Sequence, residues 1–96
     1  MGPTDVARLI DGHAAALVLY ARQWCDAPED VVQEAFFKLV RQGRPPEDPV
    51  AWLYCVVRHG ALDAAKTARR RQRRELADWQ ARYEQLADTL REVERS

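Results

Sequence analysis

Residues 48–74 read D-P-V-A-W-L-Y-C-V-V-R-H-G-A-L-D-A-A-K-T-A-R-R-R-Q-R-R, an apolar aromatic helix that turns without a break into a cationic run. Pro49 behind Asp48 is a good helix start, because the carboxylate can accept from the free first-turn amides and proline there loses no hydrogen bond. No later proline interrupts the chain. Ala51, Trp52, Leu53, Tyr54, Cys55, Val56 and Val57 are consecutive and apolar, so nearly every side of this segment is expected to be covered. Past Gly60 the pattern narrows. Leu62, Ala65 and Ala68 continue a thin apolar stripe while Arg58, His59, Asp63 and Lys66 take the other sides. One helix is thus expected to be buried at its start and displayed at its end.

Lys66, Arg69, Arg70, Arg71, Arg73 and Arg74 place six positive charges and no negative one in a short span. Such density attracts phosphates, and the nearby rings of Trp52, Tyr54 and His59 are of the kind that stacks on unpaired bases. Plainer readings stand beside these. A basic run is often a solvated helix face, and Trp and Tyr are more often core residues than base platforms. The charge pattern sharpens the choice. Residues 1–65 hold six basic and nine acidic side chains, and residues 75–96 hold three and six. The formal net charge of zero therefore hides a positive band between two acidic segments, which points to a localised polyanion contact rather than general coating of nucleic acid.

Ninety-six residues make one domain at most, and a chain this short buries only about two-thirds of its unfolded surface. With 47% hydrophobic and 31% charged residues the composition is that of a folded soluble protein, and the lack of β-branched runs points to an all-α fold. The alanine- and leucine-rich stretch at 14–21 is too short to span a bilayer, and the expected location is the cytoplasm. Cys25 and Cys55 show no C-x-x-C spacing, so reduced thiols are expected. Cys55 and His59 could supply two ligands from one helix, but nothing nearby completes a set of four. Neither a metal nor a cofactor is expected.

Thr4 or Asp5 can cap a first helix whose apolar positions Val6, Leu9, Ile10, Ala14, Leu17, Val18, Ala21 and Trp24 repeat at helical spacing. His13 reads as a boundary histidine. After a tight connection at 24–28, Pro28, Glu29 and Asp30 open a second helix with acids where the dipole favours them. Val31, Val32, Ala35, Phe36, Leu39 and Val40 form its expected buried face, with the core built from Leu17, Phe36, Leu39, Trp52 and Val56. Its other face carries Asp30, Gln33, Glu34, Phe37, Lys38 and Arg41, so an aromatic stands among polar residues. An exposed aromatic in such a stripe marks a partner; the competing reading packs Phe37 under the next loop. Residues 42–49, with Gly43 and three prolines, must form a rigid loop.

After the basic run, Leu76, Trp79, Tyr83, Leu86, Leu90 and Val93 step by three and four alternately, a heptad seam. A fourth helix is expected from about Glu75. Residues 72–75 offer a bend, and Trp79 and Tyr83 suit an irregular pocket, so folding back is the preferred expectation and pairing with a second chain the competitor.

The segments C-D-A-P-E-D-V-V-Q-E-A-F-F-K-L, at 25–39, and A-W-L-Y-C-V-V-R-H-G-A-L-D-A-A-K-T-A-R-R-R, at 51–71, together resemble region 2 of the extracytoplasmic-function (ECF) sigma factors of the sigma-70 family. The resemblance spans about residues 5–74, with residues 75–96 corresponding to the linker and no counterpart of region 4. Cys55 stands where the family most often has arginine, and His59 where it most often has asparagine. The resemblance implies a three-helix bundle that joins core RNA polymerase and captures the non-template strand of the promoter minus-ten element. It implies docking on the clamp helices of the largest subunit through Asp30, Gln33, Glu34, Phe37, Lys38 and Arg41, with an anti-sigma factor as a further partner class. DNA contact would fall to Trp52, Tyr54, Arg58, His59, Lys66, Arg69, Arg70, Arg73 and Arg74. Arg44 and Glu47, on the loop that holds a flipped base in related factors, become candidate specificity residues. The alternative function is a small helical interaction module that oligomerises through its heptad helix. Catalysis has no support, since His13, His59, Cys25, Cys55 and Asp63 form no spacing that pairs a nucleophile with a base.

Overall fold

A computed structural model describes residues 1–95 as an all-α protein with three helices, α1 (Pro3–Ala21), α2 (Pro28–Val40) and α3 (Pro49–Arg95), and no strand among the described residues. The chain divides into two compact units, Met1–Lys66 and Thr67–Ser96. No helix among the described residues is long and apolar enough to cross a membrane.

In the first unit each helix opens on a proline. Asp48 caps α3 as its sequence dictates: its Oδ1 accepts from the Ala51 N–H at 3.1 Å, while its carbonyl takes the Trp52 N–H at 3.0 Å. Pro28 likewise opens α2. The start of α1 differs from expectation, because Gly2 is the N-cap and neither Thr4 nor Asp5 lies outside the helix. Asp5 instead sits in the first turn and its Oδ2 accepts from the Gly2 N–H at 3.1 Å, the reciprocal half of a capping box.

The core comprises Leu17 and Ala21 from α1, Val32, Ala35, Phe36 and Leu39 from α2, and Leu53, Val57 and Ala61 from α3. Leu17, Phe36 and Leu39 are where the sequence reading puts them. Trp52 and Val56 are not at the centre; they are half-buried against its edge, and Leu53 and Val57 take the central positions. The reason is geometric. Residues 53, 57 and 61 form one ridge at intervals of four, and in a three-helix unit α3 has only two neighbouring helices to cover it. Ala51 and Cys55 therefore remain exposed, against the expectation that the apolar run is covered nearly all round. Val40, expected on the buried face, is 62% exposed at the end of α2. Each helix contributes one fully buried alanine, and Gly60 packs so closely on α2 that an added Cβ would lie 3.1 Å from Val31 Cγ1.

In the second unit the bend expected at 72–75 and the separate fourth helix are both replaced by unbroken α3. Q-R-R-E holds neither glycine nor proline, and residues of this kind propagate a helix. Leu76, Trp79, Tyr83, Leu86, Leu90 and Val93 are 55% to 66% exposed. Trp79 and Tyr83, one turn apart, stack with ring centroids 5.5 Å apart and planes 19° from parallel.

Candidate nucleic-acid interface

The outward side of α3 within the first unit is set by what the core leaves over. With Leu53, Val57 and Ala61 turned inward, Cys55, His59 and Lys66 are exposed, and their spacing of four and seven puts them on one stripe. His59 and Lys66, both expected to meet DNA, are brought together there, with Cys55 one turn before His59. Sequence reading assigned Cys55 to an apolar surround; the usable signal was the two-neighbour limit, which forces some member of the apolar run outward.

Tyr54 and Arg58 belong to a different corner. Tyr20 meets Trp24 edge-on at 4.9 Å and Tyr54 edge-on at 5.0 Å, with interplanar angles of 83° and 73°. The Arg58 guanidinium lies 5.9 Å from the centre of the Trp24 ring, within reach of a cation–π attraction worth about 0.5–1 kcal/mol at an exposed site. Arg58 is thereby a positioned cation on an aromatic base. Tyr54 is half-buried in this cluster and Trp52 is half-buried against the core, so neither ring is a freely displayed stacking platform in the isolated chain. The participation of Tyr20 and Trp24 was not visible in the sequence, because their meeting with Tyr54 depends on how the end of α1 reaches α3.

Arg44 and Glu47 are both exposed on the loop between α2 and α3. In the second unit Arg69, Arg70, Arg71, Arg73 and Arg74 are all exposed. The ion pairs among the described residues are Arg22 with Glu29, Arg41 with Glu34, and Arg91 with Asp88, so none involves the basic run. Among the described residues its charges have no protein carboxylate within ion-pair distance, which leaves them available to an external polyanion.

A second surface lies on α2. Asp30, Gln33, Glu34, Phe37, Lys38 and Arg41 are all exposed, and their spacing places them on one face. Arg41 donates to Glu34 Oε1 at 3.0 Å, tying two of the six to each other. Phe37 is 51% exposed whereas its neighbour Phe36 is 7% exposed. Phe37 also forms the lip of an apolar groove of about 410 Å³, with Val6, Ile10, Val18, Phe36 and Val40 along it. The groove was missed in the sequence, since Val40 and Ile10 were assigned wholly to buried stripes.

Neither the curated proteins nor the solved structures include a match to this chain. Over residues 9–74, which hold all three core segments and the basic run, the sequence matches the family model for sigma-70 region 2. The chain therefore belongs to the sigma-70 region 2 family and carries the region 2 role in transcription initiation.

Proposed function

We propose that this domain, of the ECF type, docks on the clamp helices of core RNA polymerase through the exposed face of α2. It then holds the non-template strand of the promoter minus-ten element with α3 and the basic run. The observation that carries the reading is the run of six cations without a protein carboxylate partner among the described residues. Phosphates supply the missing counter-charge, and release of condensed ions makes the contact favourable. Lys66 and the arginines hold the backbone and fix position, while base discrimination falls to groups able to reach base edges or faces. His59 on the outward stripe, Arg58 set on Trp24, and Arg44 on the loop are those groups. Trp52 and Tyr54 act from their half-buried positions, as walls against which an unpaired base is stacked.

On α2, Phe37 is the apolar anchor and Asp30, Gln33, Glu34, Lys38 and Arg41 form the polar rim that an interface of this kind needs. The site of action is the cytoplasm, where polymerase and promoter are met together. Mixing the chain with core polymerase and a fork-junction promoter tests the reading directly. The expected result is a ternary complex with strand opening that depends on the chain. Failure to bind core polymerase at low salt would overturn the reading.

A further inference from the structure

The second unit presents Leu76, Trp79, Tyr83, Leu86, Leu90 and Val93 as an exposed strip on one helix. We propose that a second copy of this chain covers that strip, the two 76–93 segments lying antiparallel. Alternating steps of three and four keep all six residues on one seam, and such a seam is complementary to itself. Trp79 and Tyr83, each 60% exposed, still offer roughly 90–150 Å² apiece, so the full strip reaches several hundred Å² per partner, towards the scale of about 800 Å² in specific interfaces.

Side-chain size selects the direction. In a parallel pair Trp79 faces the second copy's Trp79 and Tyr83 faces the second copy's Tyr83, which crowds one end with four rings. In an antiparallel pair Leu76 meets the second copy's Val93, Trp79 meets Leu90 and Tyr83 meets Leu86, so every aromatic faces an aliphatic. The flanking charges agree. Parallel pairing sets Glu75 beside Gln80, Arg82 beside Ala87 and Thr89 beside Glu94, with no opposite charges brought together. Antiparallel pairing sets Arg73 of each copy beside Glu94 of the other, twice by symmetry, and creates no like-charged flank.

The inference concerns the second unit alone; Arg73, which the promoter reading assigns to phosphate, is common to both, so the dimer is measured in the absence of nucleic acid. Sedimentation equilibrium of the full chain from roughly 10 to 300 µM, the range in which short helical pairs form, tests it. The expected result is a monomer–dimer equilibrium that Leu86→Glu abolishes while circular dichroism still reports a folded helical protein, because Leu86 lies outside the core. Arg73→Glu or Glu94→Arg alone is expected to weaken the dimer roughly threefold to tenfold, and the double variant to restore it. A monomer throughout the range overturns the proposal, as does a dimer indifferent to Leu86→Glu. A dimer that needs Leu86 but is not rescued in the double charge variant overturns the antiparallel arrangement.

Discussion

The two ends of α3 carry apolar residues at helical spacing and meet opposite fates. Leu53, Val57 and Ala61 are fully buried, whereas Leu76, Leu86 and Leu90 are more than half exposed. The difference does not lie in the helix, which runs unbroken from Pro49 to Arg95. It lies in the supply of neighbours. Residues 53–61 meet Leu17 and Ala21 of α1 and Val32, Ala35, Phe36 and Leu39 of α2, but each further apolar residue needs a surface that the chain must find elsewhere. Periodicity therefore predicts which face is sticky, and only the count of available partners predicts whether that face is a core or a contact.

Truncation at matched positions is the most direct way to break this comparison. Leu53→Ala is expected to cost about 4 kcal/mol of folding stability, since it opens a cavity in a core of nine residues. Leu86→Ala, measured by chemical denaturation at dilution where no pairing occurs, is expected to stay within about 0.5 kcal/mol. Equal losses at the two positions would mean that the two ends of α3 are not energetically distinct.

Adjacent phenylalanines give the same contrast within one turn of α2. Phe36→Ala is expected to destabilise the fold by about 3 kcal/mol, as removal of a buried ring does. Phe37→Ala should leave the melting transition nearly unchanged and weaken core-polymerase binding by about 2 kcal/mol, the scale of an interface anchor. If Phe37→Ala unfolds the chain while the folded fraction still docks normally, Phe37 belongs to the core and the α2 face has another anchor.

The basic run allows a sharper test of display. Replacing Arg69, Arg70, Arg73 and Arg74 with alanine should weaken binding to every single-stranded sequence, with little preference among them. The slope of log K against log salt should flatten by roughly 3, from about 0.7 for each lost phosphate contact. An unchanged slope would make these exposed cations a solvated surface and no more.

Much of this architecture was legible in the chain because local chemistry decides it. Asp48 with Pro49 and Pro28 with two acids favour helix starts, and Gly43, Pro45 and Pro46 at 42–48 break any regular element before α3. The α2 stripe was also visible, since spacing alone sets Asp30, Gln33, Glu34, Phe37, Lys38 and Arg41 on one face. Choosing Leu53 and Val57 over Trp52 and Val56 was not visible. All four are apolar, and a difference of one residue rotates a helix by about 100°, which only the positions of α1 and α2 resolve. The Tyr20, Trp24 and Tyr54 cluster failed for the same reason. Tyr20 and Trp24 are one turn apart, but Tyr54 lies far off in sequence and joins them only by tertiary packing. The bend expected at 72–75 overrated aromatic preference for a pocket against the strong helix-forming tendency of Gln, Arg and Glu.

The smallest expected effect concerns Gly60, where the buried end of α3 meets α2. Alanine in a helix interior is favoured over glycine by about 1 kcal/mol, so Gly60→Ala would stabilise α3 if nothing stood in the way. Here the new Cβ would lie 3.1 Å from Val31 Cγ1, closer than ordinary van der Waals contact. Val31 is only half-buried and can turn aside, at a cost comparable with the propensity gain because an off-rotamer side chain costs about 0.5–1.5 kcal/mol. Gly60→Ala alone is therefore expected to be nearly neutral in thermal and chemical denaturation. In a Val31→Ala background the obstruction is gone, and the same substitution should stabilise by about 1 kcal/mol. A stabilising effect of equal size in both backgrounds would show that α2 and α3 are not in close contact at this point. A strong loss in both would mean that Gly60 is required for a reason other than the approach of Val31.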